Sequence, residues 1–174
     1  MRIVGGKFKG RDLVSPNDFR VRPTAEAVRS WMLDQVASSL KGARVLDLFA
    51  GTGAIGLEAM SRGARSCDFV ETRPSSLHAL KANIALLRQV KFVRVFKRDA
   101  LPFAGMLGPD SYEIVFVDPP YDSKMLDRVI ESWKQKRFSK ILVAEHAKAH
   151  VLPKGKVKQV FEETAVTIYE QPTD

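Results

Sequence analysis

Val45-Leu46-Asp47-Leu48-Phe49-Ala50-Gly51-Thr52-Gly53-Ala54-Ile55-Gly56 decides the fold. An apolar run broken only by Asp47 stops at two glycines, and apolar residues then return at helical spacing as Ile55, Leu57, Ala59 and Met60. That pattern predicts a strand over 44–50, a tight turn, and a helix over 54–62. Outward toward the C-terminus the pattern repeats. Strands are expected over 67–71, 92–96, 113–117 and 141–144. Pro74 opens one intervening helix at the position where proline fits best, with Leu77, Leu80, Ile84 and Leu87 on one face. A second helix over 124–137 carries Leu126, Val129, Ile130 and Trp133. Segments 157–161 and 165–169 follow one another directly and read as a closing hairpin.

Toward the N-terminus, Thr24 is the expected cap of a helix bearing Val28, Trp31, Met32, Val36 and Leu40 and ending before Gly42. Short strands over 2–4 and 11–14, around a glycine-rich connection, predict a β-hairpin. Strands alternating with helices give an α/β architecture. The expected fold is Rossmann-like: a mostly parallel seven-stranded sheet with helices on both faces, an antiparallel C-terminal edge hairpin and the N-terminal β-hairpin. Residues 1–23 read as a basic extension and 24–174 as the main domain.

A chain of 174 residues, 45% apolar and 28% charged, is long enough to bury a core as one domain. No apolar run approaches the roughly 20 residues of a membrane span, and the N-terminus lacks a signal-like apolar segment. Cys67 is the only cysteine, so an internal disulfide and a thiolate zinc cluster are excluded. A cytoplasmic monomer without metal is the expectation. The net charge of +8 attracts polyanions. Half of it lies before Thr24, where Arg2, Lys7, Lys9, Arg11, Arg20 and Arg22 face only Asp12 and Asp18. These six are the candidate RNA-binding residues.

Ligands of open parallel sheets bind beyond the carboxyl ends of the strands, and the distinctive residues fall there. Gly51 to Gly56 also spells the G-x-G-x-x-G of dinucleotide binders, with Glu71 about 20 residues on. Asp47 argues against a pyrophosphate, because a carboxylate repels it. S-adenosylmethionine, with a sulfonium, an ammonium and no phosphate, suits that acid better. Glu71, ending the second strand, can accept from both ribose hydroxyls. Asp99 can accept from an adenine amino group, or it caps a helix. After the strand Ile114-Val115-Phe116-Val117 comes Asp118-Pro119-Pro120-Tyr121. The prolines lack N–H groups and force the chain out of the sheet. The Asp118 carboxylate and the Pro119 carbonyl can then take both hydrogens of an exocyclic amine, while Tyr121 offers a face for a stacked base.

Together the two motifs resemble the Rossmann-like S-adenosylmethionine-dependent amino-methyltransferases. The N-terminal residues sharpen the resemblance. Arg2-Ile3-Val4-Gly5-Gly6-Lys7 with Lys9-Gly10-Arg11, then Arg22-Pro23-Thr24 with Val28-Arg29, look like the RsmD family of 16S ribosomal RNA guanine-N2 methyltransferases of the bacterial small subunit. The resemblance implies cofactor contacts from Asp47, Phe49, Ala50, Gly51, Thr52, Gly53, Glu71, Thr72, Asp99 and Ala100. It implies that Asp118, Pro119, Pro120 and Tyr121 hold a guanine, and that 16S RNA or the small-subunit particle is the partner. Where the family's early helix carries Phe-Asn, this chain has Met32-Leu33-Asp34.

Three other readings stand beside this one: a DNA adenine-N6 methyltransferase, an NAD-dependent oxidoreductase, and a non-catalytic RNA-binding assembly factor. His78, His146 and His150 show no triad spacing, although His146 follows Glu145 at a strand end. Cys67, Trp31 and Trp133 read as core, and Lys154 to Lys158 as a solvated turn.

Overall fold

The computed structural model describes residues 1–17 and 24–173. Its strands are β1 (Arg44–Asp47), β2 (Ser66–Val70), β3 (Val93–Phe96), β4 (Tyr112–Val117), β5 (Ser139–Ala147), β6 (Val157–Val160) and β7 (Thr164–Glu170). They form one sheet in the order β3-β2-β1-β4-β5-β7-β6. All pairings from β3 across to β5 are parallel, and β7 pairs antiparallel with both β5 and β6. This is the Rossmann-like architecture expected from the sequence.

The central strands are apolar on both faces because both faces are covered. Along β4, Ile114 and Phe116 enter one cluster and Val115 and Val117 the other. The first cluster packs against α1 (Glu26–Gln35), α2 (Ala37–Leu40), α3 (Ala54–Ser61) and α4 (Pro74–Leu86). The second packs against α5 (Ala100–Gly105) and α6 (Met125–Lys136). Cys67 is buried, Trp133 donates from Nε1 to the Ser139 carbonyl at 2.9 Å, and Trp31 is half-buried, edge-on to Phe161.

Several details depart from the sequence reading. The early helix breaks at Val36, whose ψ is 9°. Thr24 caps nothing: the cap position is Ala25, without a side-chain bond. The first strand ends at Asp47, although the amides of Leu48 and Ala50 still donate to the Phe116 and Val70 carbonyls. The stretch between β3 and β4 contains α5, which buries Phe103 and Ala104. The expected N-terminal hairpin is a single antiparallel bridge, Arg2 to Asp12, closed over a 3-10 turn at Gly6–Phe8.

That N-terminal arm is fastened to α3 by a buried carboxylate. Glu58 accepts from the Val4 and Gly5 amides at 2.9 and 2.7 Å, from Arg29 at 3.3 Å and from Arg62 at 3.0 Å. The Arg29 and Glu58 side chains are wholly buried, which is tolerable only because each charge is paired. Gly6 lies against the backbone of Ser61, with φ +77°, and a Cβ there would stand 2.0 Å from the Ser61 carbonyl oxygen. The glycine that reads as a turn former is also required by this contact.

Candidate active site

The carboxyl ends of β1, β2, β4 and β5, together with the start of α5, enclose a cavity of about 690 Å³, a size suited to a small-molecule cofactor. Phe49, Ala50, Gly51, Thr52, Glu71, Thr72, Asp99, Ala100 and all four residues from Asp118 to Tyr121 lie on its wall. Two motifs more than 60 positions apart thus meet because β1 and β4 are adjacent, with Asp47 opposite Phe116.

Asp47 and Gly53 are not on the wall; they shape it from behind. Asp47 is buried and its Oδ2 accepts from the Gly56 amide at 3.0 Å, holding the first turn of α3. Burial pushes its pKa up to about 7, against the Gly56 hydrogen bond, and the nearby Glu71 charge adds to the rise. Gly53 has φ +81°, and a Cβ there would lie 2.4 Å from Leu80 Cδ1. Glu71 clasps the turn from the next strand. Its Oε2 accepts from the Gly51 amide, and its Oε1 from the Thr72 and Arg73 amides, all at 2.8 Å. Asp99 occupies the cap position of α5 without making a side-chain cap bond, so capping does not account for it.

At the second motif, Asp118 is half-buried and its Oδ2 accepts the Thr24 hydroxyl at 2.8 Å. The Tyr121 hydroxyl meets Thr164 Oγ1, and Thr164 Oγ1 lies 3.1 Å from Glu145 Oε1. Met1, Thr24, Ser76, Arg98 and Glu145 also line the cavity, although the sequence did not single them out for it. Met1 and Thr24 arrive through the N-terminal arm and the loop before α1, which no local pattern relates to the glycine turn. His146 is not on this wall. Its Nδ1–H donates to the Ala147 carbonyl, and its Nε2 accepts from Thr167, each at 2.9 Å. Burial is the chief cause lowering its pKa.

Of the candidate RNA-binding residues, Arg2, Lys7, Lys9 and Arg11 are exposed on the arm, and Arg20 and Arg22 lie outside the described residues. Among the described residues no group of three or more His, Cys, Asp or Glu could hold a metal ion, and no helix is long and apolar enough to cross a membrane.

The family profile described as "Conserved hypothetical protein 95" matches residues 1–169. The chain belongs to this family, the RsmD methyltransferases. Among its relatives, the YlbH protein of Bacillus subtilis is 31% identical over 182 residues, spanning 98% of this chain and 99% of the relative. The ribosomal RNA small subunit methyltransferase D of Escherichia coli is 37% identical over 130 residues, 75% of this chain and 65% of that enzyme. The solved structure of yhhF from Escherichia coli superposes with a TM-score of 0.85 at 30% identity, covering 98% of this chain and 97% of that one. Membership of a methyltransferase family decides against the NAD-dependent reading of the glycine turn.

Proposed function

We propose that this protein transfers the methyl group of S-adenosylmethionine to the exocyclic N2 of a guanine in 16S ribosomal RNA of the small subunit. The observation that carries the reading is the meeting of the glycine turn, Glu71 and the Asp-Pro-Pro-Tyr turn on one cavity wall. The residues present fit the cofactor. Glu71 Oε2, which takes one backbone amide, retains acceptor capacity for a ribose hydroxyl. Asp99 lines the cavity beside the buried Ala100, and its carboxylate would accept from the adenine amino group. The bound cofactor supplies an already activated methyl group.

The protein's part is positioning and electrostatics. Asp118 and the Pro119 carbonyl accept the two amine hydrogens and hold the nitrogen lone pair toward the methyl carbon. The cofactor's sulfur would keep the electron pair of the bond to the transferred methyl, and Asp118 would take the proton that the amine sheds. Tyr121 stacks on the base, which must leave its helical stack to reach the pocket. Arg2, Lys7, Lys9 and Arg11, with Arg20 and Arg22, hold phosphates without reading sequence. Of these, Arg2 adjoins Met1 on the cavity wall, whereas Arg11 lies farther out, bonded to the Leu86 carbonyl at the C-terminal end of α4.

Family relatives named for small-subunit RNA favour this substrate over DNA adenine. Asp118→Ala tests the reading. It should abolish transfer to 16S RNA while S-adenosylmethionine binding, measured by calorimetry, is unchanged. Wild-type turnover by that variant would remove Asp118 from the chemistry.

A further inference from the structure

Glu145 is an acid at the site that the proposed chemistry leaves without a task. It belongs to β5, is 4% exposed, and lies on the wall of the main cavity. It also lies on the wall of a second cavity of about 430 Å³, which shares Pro119, Pro120 and Tyr121 with the first and runs toward His150. The two cavities meet along the Asp-Pro-Pro-Tyr turn. A base whose amine is held at that turn has the second cavity available for its body.

Glu145 and Asp118 face the same cavity. β4 ends with Val117 opposite Ala144 on the parallel β5, and Asp118 and Glu145 are the residues that follow this last pair. Thr164 then joins the acid to the stacking ring, because its hydroxyl contacts both Glu145 Oε1 and the Tyr121 hydroxyl. A carboxylate has about four acceptor positions, and the Thr164 hydroxyl takes one of them.

Beside its N2 amine, guanine carries the N1–H donor. Beside its N6 amine, adenine carries N1 as an acceptor. A second carboxylate on the wall that carries Asp118 accepts from the first edge and repels the second. Resting on the reading that Asp118 and Pro119 hold a guanine amine, we infer that Glu145 is the residue that selects guanine, by accepting the hydrogen of N1. A site built around such a bond rejects the analogue that lacks the donor, because the buried acceptor is left unpaired.

The test compares small subunits lacking the modification with the same subunits rebuilt to carry 2-aminopurine at the modified guanine. 2-Aminopurine keeps the N2 amine but has an acceptor at N1. Wild-type enzyme should methylate the guanine substrate about 100-fold faster or more. Glu145→Ala should lose about that factor on guanine and little on 2-aminopurine, so the preference collapses. S-adenosylmethionine affinity should be unchanged, which reports that the variant is folded. Glu145→Gln, which keeps the volume and one acceptor, should fall between. Equal rates of the wild type on both substrates, or a guanine preference retained by both variants, would overturn the inference. Absence of any N2-methylguanosine from the wild type overturns the functional reading itself, and this inference with it.

Discussion

Thr24→Val removes one hydroxyl from a nearly buried side chain and leaves its shape almost intact. That hydroxyl donates to Asp118 Oδ2 at 2.8 Å. That bond fixes one oxygen of a carboxylate on the cavity wall and so helps set the orientation of the whole group. Hydrogen bonds to charged groups contribute about 1.5–3 kcal/mol, and each 1.4 kcal/mol or so changes a rate tenfold. Asp118 is half-buried, so water recovers part of the loss, and the expected slowing is at the lower end, about 10- to 30-fold. Single-turnover transfer, with enzyme and S-adenosylmethionine in excess over RNA, isolates this step. Cofactor affinity, measured separately, should not move. Thr24→Ser keeps the donor and should restore most of the rate. A valine variant as fast as wild type, or a serine variant as slow as valine, would refute the reasoning, the second because packing would then be the cause.

Four further outcomes are expected. Glu58→Ala leaves Arg29 buried without its carboxylate and frees two backbone amides; it should cost about 3–5 kcal/mol in equilibrium unfolding, and a loss under about 1 kcal/mol would contradict the buried network. Gly56→Ala places a methyl 2.4 Å from Phe69 Cε1 and 2.7 Å from Cys67 Sγ; it should lower the urea midpoint by an amount equivalent to about 1–3 kcal/mol. Asp47 has a folded pKa of about 7 against an ordinary 3.8. Between these values the unfolded chain has released a proton that the folded chain keeps, so wild-type stability relative to Asp47→Asn should fall as pH rises through that window and level off above it; a pH-independent difference would refute the shift. Replacing Lys7 and Lys9 by Gln should weaken RNA binding and flatten its salt dependence by about 0.7 for each phosphate no longer neutralised, whereas an unchanged slope would place those cations away from RNA.

The architecture was legible because both site motifs are contiguous and each adjoins an apolar strand. Val45 to Gly53 and Ile114 to Tyr121 announce strand, turn and chemistry within a dozen residues. What crosses elements was not legible. Arg29 sits at a charged position of a helical pattern, yet it is buried because Glu58 comes to it from α3. Thr24 has the composition of a cap and instead reaches Asp118, 94 positions away. The Glu145-His146 pair marked the end of β5, but alternation sends Glu145 to the main cavity and His146 to Thr167. Asp47 was read as a ligand contact from its place at the turn, whereas its carboxylate lies beneath the turn and holds Gly56. The helix Ala100–Gly105 was hidden by Pro102 and Gly105, residues that suit its first turn and its end but read as loop.

The central claim is tested most directly by transferring radiolabelled methyl from S-adenosylmethionine. Small subunits and 16S RNA lacking the modification are set against unmethylated DNA, and the products are digested to nucleosides. The account predicts label in N2-methylguanosine from the ribosomal substrate and none from DNA. Label in N6-methyladenine of DNA, or cofactor binding without transfer to any of the three, would contradict it.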